Sequence, residues 1–246
     1  MPMRNLRLDL CYDGSRYKGW QRLSTTENTI QQKLEQTLSR ILDEAVEITG
    51  SGRTDAGTHA FQQVANCHIN STMPCDEILE KMRRYLPEDI GIKSVRNVSE
   101  RFHARLNAKT KTYRYRVWNS EFPCVFDRKY VAIDLRQFDI ARMEKAAQDY
   151  LGTHDFSAFC GNKNMKKSTV RTIFSFSVEQ KENEVVFTVT GNGFLQHMVR
   201  IMVGTLLEIG AGERPEDGIA SLFGGKRMDA GAAAPSNGLC LMEVTY

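Results

Sequence analysis

Apolar residues along the chain recur in two alternating rhythms, one of period two and one near 3.6, and the two predict an order of elements. RLDLCYD (7–13) reads as a first strand. Across 29–43, Ile30, Leu34, Leu38, Ile41 and Leu42 fall on one helical face. A short strand at 46–49 leads into a glycine-rich stretch, and a strand over 61–69 leaves it. Ile78, Leu79, Met82, Tyr85 and Leu86 mark a second helix, which Pro87 ends, and a strand over 90–98 follows. The second half repeats this order. Residues 112–118 alternate, with Tyr113, Tyr115 and Val117 on one face and Arg114 and Arg116 on the other. Residues 138–152 read as a helix capped by Asp139 and stopped by Gly152. Two strands flank a Lys-Glu-Asn turn at 181–183. A long helix over 194–209, a shorter one over 215–223 and a last strand over 238–246 complete the chain.

Each half therefore runs βαββαβ, with one extra helix in the second. This order predicts an α+β fold of two ferredoxin-like halves, with joined antiparallel sheets and a central active-site cleft. Residues 1–100 form the N-terminal half and carry a loop at 50–58. Residues 101–110 form a basic connector, and 111–246 form the C-terminal half. A chain of 246 residues is long enough to bury the core this requires.

Composition narrows the classes. No apolar run approaches a membrane span, and MPMRNLRLDL lacks the apolar core of a signal peptide. A cytoplasmic protein with reduced thiols is expected, because the six cysteines are scattered and form no C-x-x-C. The histidines show no zinc-ligand spacing, so no metal is expected. Net charge is only +3, but it is unevenly placed. RFHARLNAKTKTYRYR (101–116) holds six Arg or Lys and no acid, and KNMKKSTVR (163–171) holds four basic residues and no acid. Basic residues interleaved with aromatic ones suit nucleic acid, and a solvated strand face beside a basic loop accounts for either run alone.

GSGRTDAGTHA (50–60) concentrates the candidate chemistry. A solvated turn would have left-handed glycines at Gly50, Gly52 and Gly57, with Asp55 as a turn cap. Two nucleotide motifs fail by inspection. Thr58 and His59 stand where a P-loop needs Lys and Ser or Thr, and Asp55 occupies the third glycine position of the dinucleotide fingerprint. The helix FLQHMVRIMVGTLLEIG is apolar around much of its circumference, and Arg200 is its only formal charge before Glu208. A buried guanidinium calls for a carboxylate, and Asp55 is a candidate. Solvent or a phosphate at a groove is the alternative. An aspartate held by arginines stays ionised near neutrality and can act as a nucleophile.

These residues carry a resemblance. GRTDAG (52–57) resembles the defining motif of the TruA family, the tRNA pseudouridine synthase I enzymes. LDLCYDGSRYKGWQ (8–21), FHARLNAKTKTYRYRVWN (102–119), HDFSAF (154–159), GFLQHMVRIMVGTLLEIGAG (193–212) and AAPSNGLCLMEVTY (233–246) are similar to further blocks of that family, in order along the chain. The resemblance implies an isomerase without a cofactor. It would turn uridine into pseudouridine at positions 38–40 in the anticodon stem-loop of tRNA, act as a homodimer and flip the target base. It also implies Asp55 as the catalytic aspartate, Arg200 as its paired arginine, Tyr113 as the tyrosine at the target base, and Arg53 as the arginine for tRNA binding and flipping. Three features depart from the commonest pattern. Thr58 stands where valine is usual, Gln196 replaces a frequent histidine, and KNMKKS is longer and more basic.

Three rivals belong to other classes. Tandem RRM-like halves of a non-catalytic RNA-binding protein would also run βαββαβ, but nothing fits their aromatic signature. A carboxylate-dependent glycosylase would release the base instead of retaining it. A zinc base deaminase needs H-x-E followed by P-C-x-x-C, which is absent.

Overall fold

A computed structural model describes residues 3–162 and 164–246. In chain order the first elements are β1 (Arg4–Tyr12), α1 (Ile30–Leu42), β2 (Thr49–Gly50), β3 (His59–Ile69), α2 (Cys75–Tyr85) and β4 (Ile90–Val98). There follow β5 (Thr110–Trp118), β6 (Ala132–Ile133), α3 (Ile140–Ala147), β7 (Gly152–Asp155), β8 (Val170–Lys181), β9 (Glu184–Gly191), α4 (Met198–Gly210) and β10 (Leu239–Thr245). The architecture is mixed α+β and its strand pairs are mostly antiparallel. Residue contacts group the chain into two compact units, Met1–Lys109 with Leu241–Tyr246, and Thr110–Cys240. The stretch 101–109 and the C-terminal segment thus belong with the first unit.

In the first unit, β1 is central, antiparallel to both β3 and β4, and β2 pairs with β3. The alternation in β1 turns Leu6, Leu8 and Leu10 fully inward, each contributing about 1.5–3 kcal/mol by leaving water. Helix α1 buries Ile30, Leu34 and Leu38, the residues its periodicity selects. It starts where the Thr29 side chain accepts from the Gln32 amide and stops at Asp43 in the left-handed region. The C-terminal segment is fixed within this unit. The Lys109 amide donates to the Thr245 carbonyl at 2.9 Å, the Tyr246 hydroxyl donates to the Ala104 carbonyl at 2.7 Å, and the Arg7 guanidinium lies 4.6 Å from the Tyr246 ring centre.

The second unit has the strand order β5-β9-β8-β7, all antiparallel. Its core is aromatic. Tyr150 stacks on Phe176 at 5.5 Å and meets Phe159 edge-on at 5.3 Å, and Tyr115, Phe156 and Phe187 are fully buried. Asp139 caps α3 as expected, accepting from the Arg142 amide at 3.0 Å.

Several expected boundaries shift, each for a local reason. The long helix begins at Met198 instead of 194. His197 takes a left-handed φ of 61°, and the Gln196 carbonyl accepts from the Gly161 amide, so the chain turns at 196–197 just before the helix. The helix over 215–223 is replaced by two 3-10 turns, Glu216–Gly218 and Ala220–Leu222, in a stretch broken by Pro215 and Gly218. The helix over 138–152 is α-helical only to Ala147, then tightens to a 3-10 turn, and Gly152 at φ 95° ends it. The strand at 46–49 shrinks to Thr49–Gly50, while β6 and β7 had no clear periodic signal. Among the described residues, no helix is long and apolar enough to cross a membrane.

Candidate active site

The stretch 51–58 joins β2 to β3 in the first unit, and its middle residue is its anchor. Thr54 is buried. Its hydroxyl hydrogen-bonds the Tyr12 hydroxyl at 2.8 Å, and its carbonyl accepts from the Trp20 amide at 3.0 Å. Fixing Thr54 inward leaves Arg53 exposed and Asp55 half-buried on either side of it. The loop then closes on itself, the Thr58 amide donating to the Asp55 carbonyl at 3.1 Å. Gly57 has φ 77°, as an Asp-x-Gly turn requires, whereas Gly50 and Gly52 do not have positive φ. Gly50 is needed for space. A Cβ there would lie 2.5 Å from the Trp20 ring.

Downstream, on β3, Gln63 braces the loop. It accepts from the Ser51 hydroxyl at 2.5 Å and donates to the Gly52 carbonyl at 3.1 Å. The segment 12–20 supplies the rest of the cradle. Gly19 has φ 96°, and a Cβ on it would come within 2.7 Å of the Thr54 carbonyl oxygen. A Cβ on Gly14 would collide with the Thr58 carbonyl. The Gly57 amide donates to the Tyr17 carbonyl at 3.3 Å. Tyr17 is held in turn by Asp89, which accepts from its hydroxyl at 2.5 Å, and burial pushes that phenol well above its ordinary pKa. His59 Nδ1 lies 3.1 Å from both the Gly14 amide and Asp13 Oδ1. The amide can only donate, so Nδ1 accepts in the neutral ring, and protonation would exchange that bond for an ion pair with Asp13.

Arg200 and Tyr113 belong to the second unit. Arg200 is half-buried in the first turn of α4. Its Nε donates to the Ala234 carbonyl at 2.7 Å, and its own carbonyl accepts from the Ala234 amide at 3.0 Å. The neighbouring Pro235 carbonyl accepts from the Tyr115 hydroxyl at 2.7 Å. Gly204, one turn on, has no room for a Cβ against the Ala232 carbonyl, so 232–235 lies directly on the helix. Tyr113 is buried on β5 opposite Val189, and its ring meets Phe194 edge-on at 5.2 Å. The residues proposed from sequence thus fall two to each unit, Arg53 with Asp55 and Tyr113 with Arg200. The supporting residues Tyr12, Gly14, Gly19, Trp20 and Gln63 carried no chemical signal of their own. Tyr12, Gly14, Gly19 and Trp20 lie in the LDLCYDGSRYKGWQ block, but their adjacency to the loop in space is what shows their supporting part.

The basic runs divide. Arg101, Arg105, Lys109 and Arg114 are exposed. Arg116 is instead neutralised within the protein by Glu184 at 2.6 Å and Asp127 at 2.7 Å, which raise its pKa further. Lys166 and Lys167 are exposed, and Lys163 lies outside the described residues.

A family profile described as tRNA pseudouridine synthase matches residues 11–107 and 146–246. A protein named tRNA pseudouridine synthase A from Bacillus sp. (strain KSM-64) is 43% identical over 244 residues, covering 99% of this chain and 100% of its own length. tRNA pseudouridine synthase A 1 of Clostridium tetani is 44% identical over 245 residues with the same coverage, and tRNA pseudouridine synthase A of Acetivibrio thermocellus is 43% identical over 245. The matched segments contain both the Arg53-Thr54-Asp55 loop with its cradle and the Arg200 helix. The chain belongs to the tRNA pseudouridine synthase family.

Proposed function

We propose that this chain isomerises uridine to pseudouridine at positions 38–40 of the tRNA anticodon stem-loop, with Asp55 as the nucleophile. Isomerisation of tRNA uridine is the reaction of its family, and the position and residue roles extend that reading. The observation that carries it is the loop geometry. Thr54 is bonded inward at two atoms, so Arg53 and Asp55 project side by side from a rigid turn instead of a mobile one.

The chemistry suits this set. The N1–C1′ bond breaks, a C5–C1′ bond forms, the C5 proton leaves and N1 gains one. Composition and oxidation state do not change, so no co-reactant is consumed. Addition of the carboxylate to C6, or its action at C1′ or C2′ of the sugar, needs an ionised aspartate in contact with the nucleotide. By the family resemblance Arg200 is the arginine paired with this aspartate, and the Ala234 carbonyl accepts from its Nε. The uridine must leave the stem, at a cost of about a few kcal/mol. By the family resemblance, exposed Arg53 fills the vacated space or binds phosphate, and Tyr113, whose ring packs edge-on against Phe194, contacts the displaced base.

The same reading extends to architecture. The order β4-β1-β3-β2 with α1 and α2 between strands supports a ferredoxin-like first half, and β5-β9-β8 with α3 and α4 supports a second. A cytoplasmic homodimer completes the proposal by family resemblance. The test is a pseudouridine map of a tRNA transcript treated with wild-type protein and with Asp55→Asn. New pseudouridine at 38–40 with wild type alone is expected. If the variant keeps a tenth of wild-type turnover, Asp55 is not the nucleophile.

A further inference from the structure

Two β-bulges in the first unit, one on each side of β1, bring an aromatic ring and an ammonium together on the surface. On β3, Leu10 faces Gln63 and Tyr12 faces Ala60, so Phe61 and Gln62 together oppose one residue. On β4, Asp9 faces Ser94 and Leu10 faces Ile92, so Lys93 is the extra residue. Bulges re-aim side chains, and these place the Lys93 Nζ 3.9 Å from the Phe61 ring centre. The second bulge is held in place. Arg83, in the last turn of α2, donates from Nε to the Ile92 carbonyl at 3.0 Å and from Nη2 to the Lys93 carbonyl at 3.1 Å.

Both groups are open to solvent. Phe61 is 58% exposed, and Lys93 is exposed with no carboxylate paired to it among the described residues. A ring with a mobile cation beside it matches the two chemistries of a nucleotide, a base face and a phosphate. Phe61 is also close to the loop along the chain. It lies two residues into the strand that leaves the loop, about 7 Å along β3 from His59.

We propose that Phe61 and Lys93 form a nucleotide-binding subsite for the substrate RNA. The Phe61 ring stacks on an unpaired base neighbouring the target uridine, and the Lys93 ammonium turns to that nucleotide's phosphate. The subsite rests on the reading of the chain as a tRNA-modifying enzyme, but it touches none of the reacting atoms. Its signature is affinity, not chemistry.

The experiment measures binding of a tRNA transcript over a range of salt, and separately the single-turnover rate at saturating tRNA. The variants are Phe61→Ala, Phe61→Leu, Phe61→Trp and Lys93→Gln. Phe61→Ala is expected to weaken binding about tenfold, within the range of one lost aromatic–base stack. Phe61→Leu should resemble alanine, because it restores apolar bulk without a π-face, and Phe61→Trp should bind like wild type. Lys93→Gln should lower the salt slope by about one phosphate contact. Turnover at saturation should stay within about twofold throughout. Wild-type affinity in Phe61→Leu, or an unchanged salt slope in Lys93→Gln, would overturn the subsite. If no variant or wild-type protein forms pseudouridine yet affinity follows this pattern, the subsite stands and the isomerase reading fails.

Discussion

Thr58 offers a direct test of how tightly the loop is built. It is 1% exposed, and its hydroxyl oxygen has no hydrogen-bond partner, alone among buried side-chain polar atoms of the described residues. Its amide donates to the Asp55 carbonyl, and its carbonyl packs closely against Gly14. The side chain therefore carries a desolvation cost of about 1–3 kcal/mol with nothing to offset it. Thr58→Val replaces that hydroxyl with a methyl of nearly the same size. The residual fit of the new methyl subtracts from the gain, so a net stabilisation of about 1 kcal/mol is expected. In a chain of this length that corresponds to a Tm rise of about 2–4 °C. The measurement is thermal melting of the free protein, supported by urea titration in which the midpoint rises with an unchanged slope. An unchanged or lowered Tm would refute the reasoning, because it would mean the hydroxyl has a partner, such as a trapped water.

Two other substitutions probe the two units separately. Gly19→Ala combines a strained positive φ with a Cβ 2.7 Å from the Thr54 carbonyl oxygen, so it should displace the loop. Turnover should fall at least about tenfold while Tm drops only a few degrees, and near-normal turnover would show that the loop does not depend on this contact. Arg200→Met removes a charged donor from the Ala234 carbonyl, a loss of about 1.5–3 kcal/mol, and should lower Tm and turnover together. A variant that melts and turns over like wild type would remove Arg200 from both roles. In the first unit, burial pushes the Cys67 thiol up to about 12. Cys67 should stay unalkylated in native protein at pH 8 while half-exposed Cys75 reacts, as peptide mapping would show.

Long elements with clean periodicity were legible from sequence. The strand over 90–98 and the helix from Ile30 to Leu42 agree with their predicted spans because the pattern of each is set by its own buried face. Boundaries that depend on a single backbone angle were not. Nothing in GFLQH announces that His197 turns left-handed, and the start of α4 follows from that angle. The loop's reactive pair was visible because Arg-x-Asp among glycines is chemically unusual. Its cradle was not, because Gly14, Gly19 and Trp20 act through shape on residues thirty or more positions away. The alternation of β5 correctly put Arg116 opposite Tyr115, but charge counting could not reveal that Glu184 and Asp127 already neutralise it.

The grouping of Leu241–Tyr246 with the first unit has a consequence for biosynthesis. Residues 1–109 leave the ribosome early, yet the strand beside β3 and the tyrosine that closes over Arg7 are translated more than a hundred residues later. Until then the flank of β3 beyond its short pairing with β2 offers unpaired backbone groups, which is the condition for aggregation or chaperone capture. The unit bearing Asp55 is begun first and finished last, so its native yield should depend on how fast the ribosome traverses the second half of the message.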